Sequence, residues 1–442
     1  MTPVKNILWL LVLLAVVRGI IYASFIPPWQ APDEPAHFER ARSSLSTSDW
    51  TNTSLNQQPD WYNDLSATLF KAHFWDFVAV GRPALQELPL TDYIDLYHQA
   101  YGGVYSSRLA YFGMGWPLVL FSSQDIFLQL YVLRLYSVIL SVGTILLAYL
   151  LTRTIFPNET FLVLGVPVLI LFNPQHTHIF ASINNGNMAE LFTTAVLLLL
   201  VTGIMHGFSK KIGAAILLLT LAAMWTKATA YFLVFVILIV ALFYLWQYRR
   251  YWYWLIPAGL VLVALIYLFM PTRFYLLLNE FQHRITAGQI YLNPVVPRVM
   301  FGSFWALPGW LTLQLDRFWY MLLAVFVVLS GVGLAILAIK KWRHVLLWQP
   351  KTRALALLAM VIVLVIAIPL FWSAITGTDT YRQGRSLYPA IVPISLFLML
   401  GWRQLIPAGW RNFGLFALTA LLFLFDTMVL FTYIIPFFYS RL

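Results

Sequence analysis

The sequence predicts an all-α polytopic membrane protein, and three observations carry that prediction. Of its 442 residues, 61% are hydrophobic and only 10% charged, whereas about a quarter of an ordinary soluble domain is charged. Apolar runs of roughly 20 residues, enough to cross a bilayer core of about 30 Å, recur along the chain. Basic residues gather on the short turns between these runs: Lys210 and Lys211, Arg249 and Arg250, Lys340 to Arg343, and Arg403 with Arg411. That is the distribution that cytoplasmic loops require. The formal charge of +11 reads the same way, as cytoplasmic loops facing anionic headgroups. Membrane lipids are therefore expected partners. No basic and aromatic pattern marks a nucleic-acid module, and that partner is rejected. Cysteine is absent, which excludes disulfides, thiolate metal sites and a Cys nucleophile.

Taken in order, residues 7–26 form a first span, read as uncleaved because the run is long and no small-residue cleavage site precedes Pro27. Lys5 before it sets the N-terminus in the cytoplasm. Arg18 falls inside this span and is expected to be structural and paired. Residues 27–107 form a long first outer loop holding ten of the seventeen acidic residues, which puts it on the non-cytoplasmic side. Within it, 35–45 and 65–78 fit amphipathic helices. In the second, Leu69, Phe70, Phe74, Phe77 and Val78 recur at three- and four-residue spacing, suited to a membrane surface. Residues 109–121 are apolar but broken by Gly113, Gly115 and Pro117, and read as re-entrant or interfacial.

Spans two to four cover 128–151, 160–172 and 188–205. The third exits into NPQHTHIFASINNGN, read as a polar outer loop whose His176 and His178 are at the surface or hydrogen-bonded. Spans five and six make a hairpin with Lys227 near its outer tip. The seventh, 254–270, leads to a second large outer loop, 271–317. Spans eight and nine cover 318–339 and 355–372, the outer loop 373–386 follows, and the last two spans cover 387–401 and 413–435. The sum is one membrane-embedded domain over 1–442, with about eleven spans and no internal repeat.

The chemistry gathers around PPWQAPDEPAHFERAR, residues 27–42. Pro32 biases its predecessor toward extended backbone and Pro35 fits a first helical turn, so Asp33 and Glu34 stand where a strand-like segment turns into a helix. One reading makes Asp33 an N-cap and Glu34 a complement to the helix dipole. The other makes Asp33 a general base at the water–membrane boundary, with Glu34 orienting the acceptor. His37 follows Asp33 by four and shares its helix face. A metal site would want more ligands than this trio supplies. Arg134 and Lys227 interrupt apolar segments, and an ionisable group there is a functional candidate, with snorkelling to the interface as the plainer account. Arg382 and Arg385, in DTYRQGRSLYP beside Tyr381, offer guanidinium forks suited to a lipid phosphate. Trp305 and Trp310, in SFWALPGW, suit either stacking on a sugar or an interfacial aromatic belt.

Taken together, the acidic motif after the first span, the amphipathic helices and the span count resemble the integral-membrane glycosyltransferases of the GT-C class. More narrowly, PDEPAHF (32–38), LRLYS (133–137), the Thr226–Lys227 pair, FWALPGW (304–310) and QGRSLYP (383–389) resemble a bacterial family of predicted membrane proteins of unassigned function. Two positions depart from that pattern: Ser386 stands where an aromatic is expected, and Gly186 where an acid is common. The resemblance implies transfer of a sugar from a polyprenyl-phosphate donor to a hydroxyl of a cell-envelope glycan or lipid, on the outer face of a bacterial inner membrane. It carries the role of base onto Asp33. Phosphate cations would come from Arg385, Arg382, Lys227 and Arg134, and inversion is expected. Fixed cations of this kind make a metal unnecessary, and no cofactor is implied. A lipid-linked sugar transporter and a non-catalytic subunit of an envelope-polymer assembly are the other classes compatible with the sequence.

Overall fold

A computed structural model describes residues 2–45, 60–77, 108–247, 293–341, 349–376 and 383–440, with isolated positions between 257 and 283. Among the described residues the secondary structure is helical, without strands. The first helices are α1 (Thr2–Phe25), α2 (Glu34–Ser43), α3 (Asp60–Lys71), α4 (Phe74–Phe77) and α5 (Arg108–Gly115). Next come α6 (Ile126–Ile155), α7 (Thr160–Leu171), α8 (Pro174–Phe180), α9 (Asn185–His206), α10 (Lys210–Thr226) and α11 (Phe232–Gln247). The remainder are α12 (Val295–Trp305), α13 (Arg317–Lys341), α14 (Pro350–Thr376), α15 (Ile391–Leu405), α16 (Arg411–Met428) and α17 (Ile435–Tyr439).

Seven helical stretches are long and apolar enough to cross a membrane: Ile7–Phe25, Ile126–Ile155, Asn185–His206, Arg317–Lys340, Pro350–Ile375, Gly384–Leu405 and Ala408–Tyr439. The protein is therefore a multi-pass membrane protein. An eighth span results if α7 and α8, bent by 62°, are taken as one. Against the expected eleven, seven or eight are counted among the described residues. At the predicted fifth and sixth spans stand α10 and α11, of 17 and 16 residues, short of the roughly 20 that a bilayer core asks for. The predicted seventh span, 254–270, lies largely outside the described residues.

Small residues let the long helices approach closely, as packing in lipid favours. A Cβ on Gly333 of α13 would fall 2.0 Å from the Gly401 carbonyl oxygen of α15, and one on Gly19 of α1 would fall 2.4 Å from Val138 of α6. The faces turned away from these contacts keep large apolar side chains exposed, Ile339 at 76% and Phe416 at 70%. In water such faces would aggregate; in lipid they are the solvated ones. The charge inside α1 is paired as expected. Arg18 binds both carboxylate oxygens of Asp426 in α16, and the Tyr22 hydroxyl donates to Oδ1 at 2.7 Å.

Two expectations are corrected. The segment after α7 is not a polar outer loop: Pro174 through Phe180 form a buried helix. Asn173 caps it, accepting from the His176 amide at 3.0 Å, and Pro174 supplies the first helical position. Its polar side chains are internally bonded, Gln175 Oε1 to the Leu307 amide at 2.7 Å and His176 to Glu190 at 2.8 Å. The 65–78 segment is not laid flat on a surface either. It breaks at His73, whose φ is +52°, and Leu65, Leu69, Phe74, Trp75 and Phe77 are buried in the protein. Phe70 alone of the predicted apolar stripe is exposed among its described members. Val78 lies outside the described residues.

Candidate functional site

The link between α1 and α2 builds the site. Pro27 and Pro28 lack the N–H groups that would continue α1, so its last carbonyls need other donors. Arg134, fully buried on α6, supplies them: Nη1 donates to the carbonyls of Ala23 at 2.8 Å and Ile26 at 2.7 Å, and Nη2 to Pro27 at 3.0 Å. Its remaining donors meet Glu34, Nε to Oε1 at 2.8 Å and Nη2 to Oε2 at 2.6 Å. Glu34 also accepts from the amides of Trp29 at 3.1 Å and Ile183 at 3.3 Å. Arg134 and Glu34 are spent on each other and on the backbone, and both side chains are wholly buried. As arranged, Arg134 has no donor for a phosphate and Glu34 no lone pair turned to an acceptor.

That clamp holds two non-glycine residues in the left-handed region, Trp29 (φ +70°) and Asp33 (φ +63°). Asp33 occupies the N-cap position of α2 without capping it, for its side chain accepts no helix N–H; the backbone carbonyl alone enters the helix, from the His37 amide at 2.9 Å. The carboxylate turns instead to Arg385, across 352 residues, and Arg385 also donates to the Pro32 carbonyl at 3.3 Å. Arg385 is fixed from the other side. Gly384 donates to Ser303 Oγ at 2.7 Å, and a Cβ there would fall 2.1 Å from the Phe304 nitrogen. The site needs glycine at 384 because the chain passes directly against the end of α12.

His37 is buried on α2, its Nδ1 2.5 Å from the Tyr111 hydroxyl. Lys227, after α10, donates to Asn184 Oδ1 at 3.1 Å. Burial pushes the Asp33 carboxyl up, but Arg385, His37 and Lys227 together outweigh it and hold it below the usual carboxylate range. Burial pushes the His37 imidazole down to about 3, with Asp33 opposing and the two cations adding to the depression. Burial and the Arg385 charge bring Lys227 down to about 7. Four groups from three stretches of chain thus act on one another: a carboxylate and a neutral imidazole from the PDEPAH segment, a guanidinium and an ammonium.

The aromatic motif serves as a wall. Trp305 is buried edge-on to Phe304 and Phe326, and Trp310 donates from Nε1 to the Trp29 carbonyl at 3.1 Å. Tyr381 and Arg382 lie outside the described residues. Sequence reasoning missed Asn184, Tyr111 and Ser303, none of which carries charge; only the polar run around Asn184 was a signal. Among the described residues no three His, Asp or Glu side chains gather as a cation site needs. No family model, curated protein or solved structure matches this chain, so the resemblance drawn from its motifs stands on those motifs alone.

Proposed function

We propose that this protein is a membrane glycosyltransferase that moves a sugar from a polyprenyl-phosphate donor to an acceptor hydroxyl of a cell-envelope glycan or lipid. The reaction takes place on the extracytoplasmic face of a bacterial inner membrane. The observation that carries the reading is the placement of Asp33: a carboxylate at a helix start that caps nothing and meets an arginine fixed by a distant glycine.

In the free protein Arg385 holds the Asp33 carboxyl low, which makes a weak base. A donor phosphate competes for the guanidinium, for which two charged oxygens suit its fork. Once the guanidinium turns to phosphate, burial dominates at Asp33 and raises its carboxyl toward working pH. Asp33 then takes the proton of the acceptor hydroxyl as the new oxygen–C1 bond forms. The C1–oxygen bond to phosphate breaks, and polyprenyl phosphate leaves with the electron pair. Arg385 and Lys227 carry the charge that develops on it. Attack from the face opposite the phosphate inverts the anomeric centre. Glu34 and Arg134 hold the turn that aims Asp33, and His37 bounds the site as a neutral group.

The test is transfer by purified protein from a lipid-linked sugar. Asp33→Asn is expected to lower the rate by at least about 1,000-fold with unchanged thermal unfolding. Wild-type-like transfer by that variant sinks the assignment.

A further inference from the structure

Lys227 and Asn184 form a donor-rich point beside the Asp33–Arg385 pair. Asn184 is 1% exposed and caps α9, accepting on Oδ1 from the Gly186 amide at 2.7 Å and from Lys227 Nζ at 3.1 Å. Two donors on one atom fix the amide's orientation, because the other end of the group cannot accept. Its Nδ2 is therefore turned the other way, and this buried donor has no acceptor among the described residues. Such a group is costly where it stays unsatisfied. The ammonium of Lys227 meets a neutral amide oxygen, and among the described residues no carboxylate is in hydrogen-bond contact with it.

Glycine at 186 lets these two side chains meet. A Cβ at Gly186 would fall 2.9 Å from Lys227 Nζ and 2.8 Å from Asn184 Oδ1, so any side chain there displaces the ammonium from its amide. Asn185 Nδ2 donates to the Thr226 carbonyl at 3.0 Å, which ties the start of α9 to the residue before Lys227. The positive end of the α9 dipole adds to the same field. The buried Nδ2 donor and the ammonium both suit an acceptor with negative charge.

We infer that Asn184, Gly186 and Lys227 form an oxyanion seat, in which Asn184 Nδ2 and Lys227 Nζ bind the phosphate of a lipid-linked donor or the carboxylate of an acidic sugar. The seat rests on the reading of Lys227 as a ligand cation given above. Its test measures binding and not transfer, so the two readings fail separately.

Purified protein in detergent is titrated with farnesyl phosphate, with glucuronate and with farnesol as the neutral control, following tryptophan fluorescence. Saturable binding of farnesyl phosphate beyond that of farnesol identifies the lipid phosphate as occupant; saturation by glucuronate identifies the acidic sugar. Asn184→Asp retains the helix cap, since Asp caps as well as Asn, but replaces the donor with a carboxylate that takes Lys227 for itself. It is expected to weaken the oxyanion probe by about 30-fold or more while farnesol is unaffected. Gly186→Ala, which keeps both ligating residues but pushes the ammonium off its amide, is expected to weaken it by about tenfold, and decides the matter if the first variant fails to fold. Binding by both variants as tight as wild type, or no saturable binding of either oxyanion, overturns the inference.

Discussion

Replacing Arg134 by Met is the perturbation that most directly separates a structural arginine from a ligand-binding one. The side chain lies wholly inside the protein and makes five hydrogen bonds, two to Glu34 and three to carbonyls at the end of α1. Met matches its volume roughly and offers no donor. The variant leaves Glu34 as a buried carboxylate held only by the Trp29 and Ile183 amides. Breaking a buried pair from one side costs about 3–5 kcal/mol, and each carbonyl left without a donor adds about 1 kcal/mol or more. Pro27 suffers least, because its carbonyl still accepts from the Gln30 amide at 3.2 Å. A loss of about 5 kcal/mol is comparable to the entire stability of many domains. In detergent, Arg134→Met is expected to lower the melting temperature by roughly 5–10 °C. Adding Glu34→Gln removes the stranded charge and is expected to restore about 2 kcal/mol or more of that loss. Circular dichroism against temperature on the single and double variants measures both effects. A single variant that melts with the wild type yet no longer binds a prenyl phosphate would refute the reasoning, and return Arg134 to the ligand site.

Three further outcomes follow from the same geometry. On α2, burial raises Glu39 from 4.5 to about 7 and lowers His37 from 6.5 to about 3. Glu39 thus adds stability below pH 4.5 that is lost as pH rises through 7, whereas His37 costs stability as pH falls from 6.5 toward 3; between 4.5 and 6.5 the slopes oppose. Glu39→Gln unmasks the His37 slope, a loss of about 3 kcal/mol on acidification across that window, and His37→Gln unmasks the reverse; flat unfolding curves for both variants contradict it. Gly384→Ala drives a Cβ into the backbone nitrogen of Phe304, so transfer is expected to fall by 100-fold or more, on the scale of an about 1 Å misplacement, and wild-type rates would show that this approach does not position Arg385. Asp426→Asn strands Arg18 among the spanning helices and is expected to cost about 3 kcal/mol, visible as a lower melting temperature that Arg18→Met in the same chain partly restores.

The long spans were legible, though not the count of eleven, because lipid imposes one rule, a long apolar run, that hydropathy reads directly. So was the pairing of Arg18, since a charge in such a run needs a partner, although Asp426 stands 408 residues away. What failed was the reading of polar residues. NPQHTHIF has the composition of a solvated loop, but a buried helix whose side chains are internally bonded has the same composition. Asp33 and Glu34 are adjacent carboxylates whose partners no sequence pattern shows. Their roles separate only because Asp33 adopts a left-handed conformation, which sends the two side chains to different arginines. The aromatic motif was ambiguous for a like reason: Trp305 and Trp310 serve as packing and as a backbone anchor, and an indole is equally suited to those tasks and to a sugar face.

The two arginine–carboxylate pairs pose a question of magnitude that decides which one a phosphate can open. Both are charge-assisted, and both join the PDEP turn to a distant helix. The Arg134–Glu34 pair is fully buried, whereas Asp33 keeps 32% of its side chain exposed and Arg385 16%. Opening the buried pair leaves uncompensated charge in a low dielectric, at about 3–5 kcal/mol. The partly solvated pair holds with about 1 kcal/mol or less beyond what water offers each partner. A single charged hydrogen bond from phosphate, worth about 1.5–3 kcal/mol, exceeds the second cost and not the first. On the proposed function, Arg385 therefore changes partners when the donor phosphate binds while Arg134 does not. The stable pair then sets the backbone geometry from which the exchangeable one releases Asp33.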